Sequence, residues 1–464
     1  MKNSNIKEVL WNKTIGNIII VVASIVLIYL SISLYFTKHF FFNTVINGVD
    51  VSLKSHKDVY GIFESHVKGY KLQLNERNGV TEEIIGQDID MKYNEQKSIS
   101  EVYEKQKSVK WIIAILKKQK YYVDGLYSYN KDNLGNKINE LGCLKKDIIE
   151  PKNVSFKYSK GSYEVIEEVY GNKVLKENLN KAIENSILQG ETKLDLNNNQ
   201  CYENPKYTLK SAKTTETKNL LDKYVTTKVT YKFGSKSEVL DGETISKWLS
   251  IDENLEVVIS EKAVKEYLQG LGSKYDTVGI TRKFKSSIGK IVEVKGGFYG
   301  WKLNSTEEAK ALLENIKIGE VSEKEPIYTQ RALYRDEDDI GRTYVEIDIT
   351  RQHLWFYKDG KLITQGDVVT GNPNRGNSTK LGTYMLNYKQ KGSTLRGENY
   401  EADVTYWMPF NGNIGIHDAS WRYSFGGEIY KNNGTHGCVN APLYLAKTIF
   451  ENIEEGTPVI CYEE

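Results

Sequence analysis

The sequence predicts a mostly β C-terminal domain with one helix, preceded by two α+β modules and an N-terminal transmembrane helix. Three observations carry this. An uncharged apolar run covers 15–36. A motif recurs in the middle of the chain at an offset of 129 residues. Beyond about residue 340, alternating apolar strands and turn residues replace the helical pattern. A chain of 464 residues is too long for one core. With 63 basic and 61 acidic residues it lacks the excess of positive charge that a nucleic-acid partner needs, and none is expected.

Residues 1–14 read as a cytoplasmic tail and 15–36 as the membrane anchor. At about 1.5 Å per residue the run crosses a hydrocarbon core of about 30 Å. Lys2, Lys7 and Lys13 precede it against only Glu8, so the N-terminus is expected to stay inside and everything after Phe36 to lie outside the cell. A cleaved signal peptide is the alternative. The run is long for one, and no small-x-small site follows at Tyr35-Phe36-Thr37-Lys38. ATP is absent outside the cell, so any bond-forming step there must draw on a bond already in the substrate.

The repeat comes next. Tyr170-Gly171-Asn172-Lys173-Val174 opens an amphipathic run ending at Gly190; Tyr299-Gly300-Trp301-Lys302-Leu303 opens one ending at Gly319. Leu179, Ala182, Ile183 and Ile187 share one helix face in the first, as do Ala309, Leu312, Leu313 and Ile316 in the second. Two modules follow, 45–205 and 206–330. Two copies are too few for a solenoid, and spacing alone favours a spacer over a binding module. The acidic stretch around Arg335-Asp336-Glu337-Asp338-Asp339 reads as a linker, 331–341.

The last domain, 342–464, is predicted from strands at Val345–Ile349, Gln352–Tyr357 and Lys361–Val369. The hairpin turn Lys358-Asp359-Gly360 joins the last two. A loop over 371–377 and a strand opening at Gly382 follow. The helix is Pro442–Ile453: proline suits its first turn, Leu443, Ala446, Ile449, Phe450 and Ile453 share a face, and Gly456 stops it. Thr457–Tyr462 closes as a strand.

The chemistry sits in this domain. The chain has 4 cysteines and 6 histidines, and Thr435-His436-Gly437-Cys438-Val439-Asn440 with His417 holds one of the former and two of the latter. Cys143, Cys201, Cys438 and Cys461 form no CxxC and too sparse a set for a disulfide scaffold. A thiol is mostly protonated at neutral pH, and a nearby imidazole makes it a nucleophile. His417, on a separate strand, is the better base; Asp418, by side chain or carbonyl, is the nearest group to fix its tautomer. Amides around His436, Gly437 and Cys438 are candidates for an oxyanion hole, and the helix at Pro442 for a dipole acting on the thiolate. A buried structural cysteine, or a zinc site of His417, His436 and Cys438 without an obvious fourth ligand, are the alternatives.

These residues carry a resemblance. His417, a gap of 17, then Thr435-His436-Gly437-Cys438-Val439-Asn440 resembles the signature of the YkuD-type L,D-transpeptidases. Ile416-His417-Asp418-Ala419, Trp421-Arg422, Phe425-Gly426-Gly427 and Gly456-Thr457-Pro458-Val459 agree with it, over about 340–464. The two modules are similar to the peptidoglycan-binding domain that often precedes this catalytic domain in Gram-positive bacteria. The second, with Gly296-Gly297-Phe298-Tyr299-Gly300-Trp301, is the clearer copy.

The resemblance implies a β-sandwich and no cofactor or metal. It implies a thioacyl-enzyme made by Cys438 from a tetrapeptide stem, release of the terminal D-alanine, and attack by the side-chain amine of a neighbouring stem to give a 3→3 cross-link. His417 is then the base, oriented by the carbonyl of Asp418. His436 and Gly437 serve the oxyanion and structural part, with Thr435 and Asn440 in support. The partners implied are peptidoglycan stem peptides as donor and acceptor, the cell membrane, and carbapenem β-lactams as inhibitors that acylate Cys438. One departure stands out: the family's Thr-Pro-x-Gly reads Thr379-Lys380-Leu381-Gly382 here. Interception of the thioester by water, giving an L,D-carboxypeptidase, and a non-catalytic wall-binding protein are the competing functions.

Overall fold

The computed structural model describes residues 3–97, 99–336, 338–397 and 400–464; Lys2 of the tail and Glu337 of the acidic stretch lie outside the described residues. By contact the chain forms two compact units, one up to Ser155 with Ile166–Ser211, the other Phe156–Val165 with Ala212–Glu464.

The first unit starts with the helix Asn3–Tyr35. Within its 23 residues Lys13–Tyr35 the most apolar 18-residue window has a mean hydropathy of 2.7, and only 6% of that window is buried. A soluble core helix of this composition would be covered by protein. The module that follows builds a three-stranded sheet in the order Lys193–Asp195, Lys71–Asn75, Thr81–Ile85. Its outer strand runs parallel to its neighbour, reached through the helix Lys176–Gln189.

The second unit repeats this plan. Lys228–Phe233 pairs with the hairpin partner Lys236–Leu240 and, in parallel, with Val321–Lys324 after the helix Ser305–Ile318. Both repeated helices end on a glycine in left-handed conformation, Gly190 at φ 66° and Gly319 at φ 74°. That geometry is nearly free for glycine and strained for other residues. The apolar faces read from spacing are buried: Leu179, Ile183 and Ile187 in one, Ala309, Leu312 and Ile316 in the other.

The acidic stretch expected as a linker is packed. The Asp339 carboxylate takes two bonds from the Arg282 guanidinium, 2.8 Å from Nε and 2.7 Å from Nη2, and both side chains are buried. Arg282 also donates to Thr277 O at 2.7 Å and Tyr299 O at 3.0 Å. Arg335 stacks over Trp301, and Asp336 accepts the Ser235 N–H.

The C-terminal domain is a sandwich. Five strands lie in the order Lys361–Asp367, His353–Lys358, Tyr344–Asp348, Pro458–Tyr462, Gly382–Met385. Four more lie in the order Gln390–Gly397, Tyr400–Asn411, Ile414–Asp418, Val439–Ala441. The helix Leu443–Asn452, with Pro442 at its N-cap, contributes Leu445, Ala446 and Ile449 to the core. Val345, Ile347, Leu354 and Phe356 come from the first sheet, and Tyr406, Met408, Ile416 and Val439 from the second. The hairpin Gln390–Gly397 with Tyr400–Asn411 and the short helix Ile429–Asn433 add to the expected elements. Glu346 and Asp348, the polar positions of the first alternating strand, are fully buried. Glu346 is covered by the second module, accepting from the Ser287 N–H and hydroxyl and from Tyr462 OH.

Candidate active site

The strands Ile414–Asp418 and Val439–Ala441 run side by side in parallel, with His417 in register with Asn440. This pairing brings His417 and Cys438, 21 positions apart, to one pocket of about 510 Å³. His436, Thr435 and Asn440 also line it, as do Trp421 and Arg422. Gly437 and Asp418 stand behind the wall.

His417 is buried, with Trp407 and Trp421 at ring distances of 5.9 and 6.0 Å. Its Nδ1 lies 2.9 Å from the Asp418 carbonyl oxygen. A carbonyl only accepts, so Nδ1 carries the proton and Nε2 is left as a proton acceptor. Burial lowers the imidazole below its ordinary value of 6.5, partly opposed by that carbonyl and by the Asp418 charge. The neutral form is therefore the resting one at pH 7. Of the two ways Asp418 was expected to act, the carbonyl is the one used. Its carboxylate is committed to the next strand, taking the N–H groups of Thr405 at 2.8 Å and Tyr406 at 2.7 Å.

The Cys438 thiol donates to Asn413 O at 3.6 Å. Burial raises its pKa above 9.0, and the Gly415 N–H turned toward the sulfur pulls the other way. A base is thus needed to make the thiolate near neutral pH. The helix that was expected to act on the thiolate by its dipole starts at Leu443, five residues after Cys438 and beyond the strand Val439–Ala441 and the N-cap Pro442. Cys143, Cys201 and Cys461 are free and buried.

The turn is knitted by two hydroxyls. Thr435 Oγ1 accepts the Gly437 N–H at 3.0 Å and donates to Cys438 O at 2.5 Å. Thr379 Oγ1 accepts the Gly371 N–H at 3.0 Å and donates to Gly437 O at 2.7 Å. Thr379 is buried, so the loop that lacks the family's proline is pinned by hydrogen bonds. Gly437 sits at φ +123°, and a Cβ there would lie 2.9 Å from Ile414 Cδ1. With its amide spent on Thr435, Gly437 serves the shape of the turn. His436 is exposed at the pocket mouth.

Arg422, which flanks the His417 part of the signature, lines the pocket. Among the described residues its Nε is buried without a hydrogen-bond partner. Burial lowers its pKa, and its charge helps to keep His417 neutral. Leu395, Glu401 and Asp403 on the long hairpin form the opposite wall. No sequence motif linked them to the site; the pairing of the two hairpin strands with Ile414–Asp418 brings them there. Among the described residues no cluster of three or more His, Cys, Asp or Glu is arranged to hold a metal.

Comparison with known proteins follows this geometry. Residues 342–461 match the family model for the L,D-transpeptidase catalytic domain. Solved structures agree. The chain is 33% identical to the Ldtfm-avibactam carbamoyl enzyme, covering 54% of this chain and 99% of that one, with a TM-score of 0.46. The chain belongs to the L,D-transpeptidase family. A mutant of the Enterococcus faecium L,D-transpeptidase is also 33% identical, over 53% of this chain and 98% of that one, with a TM-score of 0.45. The catalytic domain of the E. faecium L,D-transpeptidase acylated by ertapenem is 40% identical over 26% and 98%, with a TM-score of 0.25. Residues 84–195 and 207–323 each match the family described as "Putative peptidoglycan binding domain". A search of curated proteins returned no match. This L,D-transpeptidase acts on peptidoglycan, and its catalytic domain is the C-terminal sandwich.

Proposed function

We propose that this L,D-transpeptidase is a cysteine acyltransferase that forms 3→3 cross-links from a tetrapeptide donor. The observation that carries the reading is the Nδ1–H bond of His417 to Asp418 O, which leaves Nε2 facing the pocket as the base for Cys438. His417 takes the thiol proton and the thiolate attacks the carbonyl of the third stem residue. The Cys438 amide stabilises the oxyanion, a donor typically contributing about 3–4 kcal/mol. Collapse breaks the bond to D-alanine, and His417 returns the proton to the leaving amine. The peptide-bond energy is retained in a thioester, which the side-chain amine of an acceptor stem attacks. His436 shapes the pocket mouth, and Thr435, Gly437 and Asn440 hold the turn.

The Arg422 Nε, buried without a hydrogen-bond partner among the described residues in the pocket that Cys438 also lines, calls for an anion, and the donor has one in the carboxylate of its terminal D-alanine. We assign Arg422 to that carboxylate. Arg422→Gln is expected to raise KM for the tetrapeptide roughly 10- to 100-fold, the worth of a charge-assisted hydrogen bond, with kcat changed less. A donor with a C-terminal amide should be as poor for the wild type as the acid is for the variant. Equal KM values for acid and amide with the wild type would exclude the assignment.

The apolar, uncovered helix Lys13–Tyr35 supports a single-pass anchor in the cell membrane, N-terminus inside. The two modules support contact with peptidoglycan on the outer side. Incubating the chain with disaccharide-tetrapeptide and resolving products by mass spectrometry tests the reaction. A cross-linked dimer that disappears in Cys438→Ala is expected. Tripeptide alone would make the enzyme a carboxypeptidase, and products independent of Cys438 would refute the mechanism.

A further inference from the structure

The two modules differ most in length between one pair of strands. In the second copy the paired strands Leu249–Ile251 and Val257–Ile259 are joined by 252–256. In the first copy the corresponding pair, Lys92–Tyr93 and Tyr127–Ser128, is joined by 94–126. The extra chain is in the copy that follows the anchor, and it holds the helix Trp111–Leu116, Trp-Ile-Ile-Ala-Ile-Leu.

Among the described residues, one side of this helix is covered by protein. Ala114 is buried with Phe36 and Phe41. Val109, Ile112, Ile113, Ile115 and Leu116 point outward; Ile113 is 56% and Leu116 88% exposed. Five large apolar side chains in one short segment facing water is a patch that needs an occupant. The surrounding charge is one-sided. Lys105, Lys107, Lys110, Lys117, Lys118 and Lys120 flank the segment, and no acidic residue occurs between Glu104 and Asp124.

The anchor fixes where the patch sits. Trp111 packs on Tyr29 and Phe36 at ring distances of 5.8 and 6.3 Å, and Tyr29 OH donates to Val109 O. Gln106 bonds the Phe41 N–H and the carbonyls of Phe36 and His39, and Asn43 bonds Ala114 O. Tyr29 lies six residues before the helix end at Tyr35, about 9 Å along the axis. Interfacial amphipathic segments bury their apolar face about 5–10 Å deep.

We propose that Ser108–Leu116 is a membrane wedge. It seats in the outer leaflet beside the anchor, with Trp111 at the interface and the flanking lysines on anionic lipid headgroups. The proposal rests on the reading that Lys13–Tyr35 spans the bilayer. It makes the first module a collar on the membrane, attached at two points.

The test uses the full chain in vesicles of phosphatidylethanolamine and phosphatidylglycerol. Spin labels are placed singly at Ile113→Cys, Leu27→Cys and Val239→Cys in a Cys438→Ser background. All three sites are exposed in the fold, so the labels displace no core. Relaxation by oxygen and by a water-soluble nickel chelate reads depth. The expected result is protection from nickel with strong oxygen relaxation at Leu27 and Ile113, and nickel relaxation at Val239. Nickel relaxation at Ile113 with Leu27 protected overturns the wedge and leaves the anchor standing. Nickel relaxation at Leu27 overturns the anchor, and the wedge with it.

Discussion

His417→Gln lowers the rate of Cys438 acylation by roughly 100- to 10,000-fold, the usual contribution of a positioned general base. Glutamine fills much of the space between Trp407 and Trp421 and can still donate to Asp418 O, but it cannot accept the thiol proton. The pH dependence separates this loss from a structural one. In the wild type the acid limb lies below pH 6.5, because burial lowers His417 and the neutral imidazole persists as pH falls. In the variant the rate depends on spontaneous ionisation of a thiol raised above 9.0. It should therefore climb with pH, about tenfold per unit, throughout the neutral and mildly alkaline range. His436→Ala, which removes an exposed ring at the pocket mouth, costs much less. Stopped-flow acylation by a β-lactam across pH reads all three. A flat profile in His417→Gln at the wild-type rate would remove His417 from the chemistry.

The largest effect on stability is expected at Asp339. Asp339→Ala leaves the Arg282 guanidinium buried without its carboxylate, which costs about 3–5 kcal/mol. Arg282 also donates to Thr277 O and Tyr299 O, and methionine would leave both carbonyls without that donor, so the double variant Arg282→Met/Asp339→Ala should regain only part of the loss. A chain of two units need not unfold in one step. The measurement is therefore native-state hydrogen exchange of the amides in Arg282–Lys285 and Ile291–Val294, the hairpin packed on Ile340, Ile460 and Tyr462. Unchanged protection there would show that the ion pair holds nothing.

What was legible in the sequence is what short-range pattern can carry. Thr435–Asn440 is contiguous, His417 stands at the spacing from Cys438 that the family signature requires, and the repeated helices end on glycines whose conformation demands them. Pro442 and the spacing of Ala446, Ile449 and Ile453 located the helix, although Leu443, read on the same face, is exposed and Leu445 is buried in its place. The hidden features are those made by distant residues. Arg282 and Asp339 are 57 positions apart, and a run of acids reads as linker until its counter-ion is seen. The strand Gln390–Gly397 stands out from the core, so no alternating burial marks it. Its partner does alternate, with Tyr406, Met408 and Phe410 inward, and that signal was available. Arg422 looked like any surface arginine, because desolvation is a property of the folded pocket. The residues alone left both the side chain and the carbonyl of Asp418 open; the resemblance pointed to the carbonyl, and the carboxylate lies on the amides of Thr405 and Tyr406.

The central claim is that Cys438, activated by His417, is the acylated nucleophile. Intact-mass spectrometry of the full chain after exposure to imipenem, followed by peptide mapping, tests it directly. The other thiols are poor competitors, since burial raises Cys143 to about 12 and Cys201 to about 11 and also pushes Cys461 up. The wild type should gain the mass of one imipenem on the peptide containing Cys438, and Cys438→Ala should gain none. An unmodified wild type, or an adduct that survives in Cys438→Ala, would contradict the mechanism.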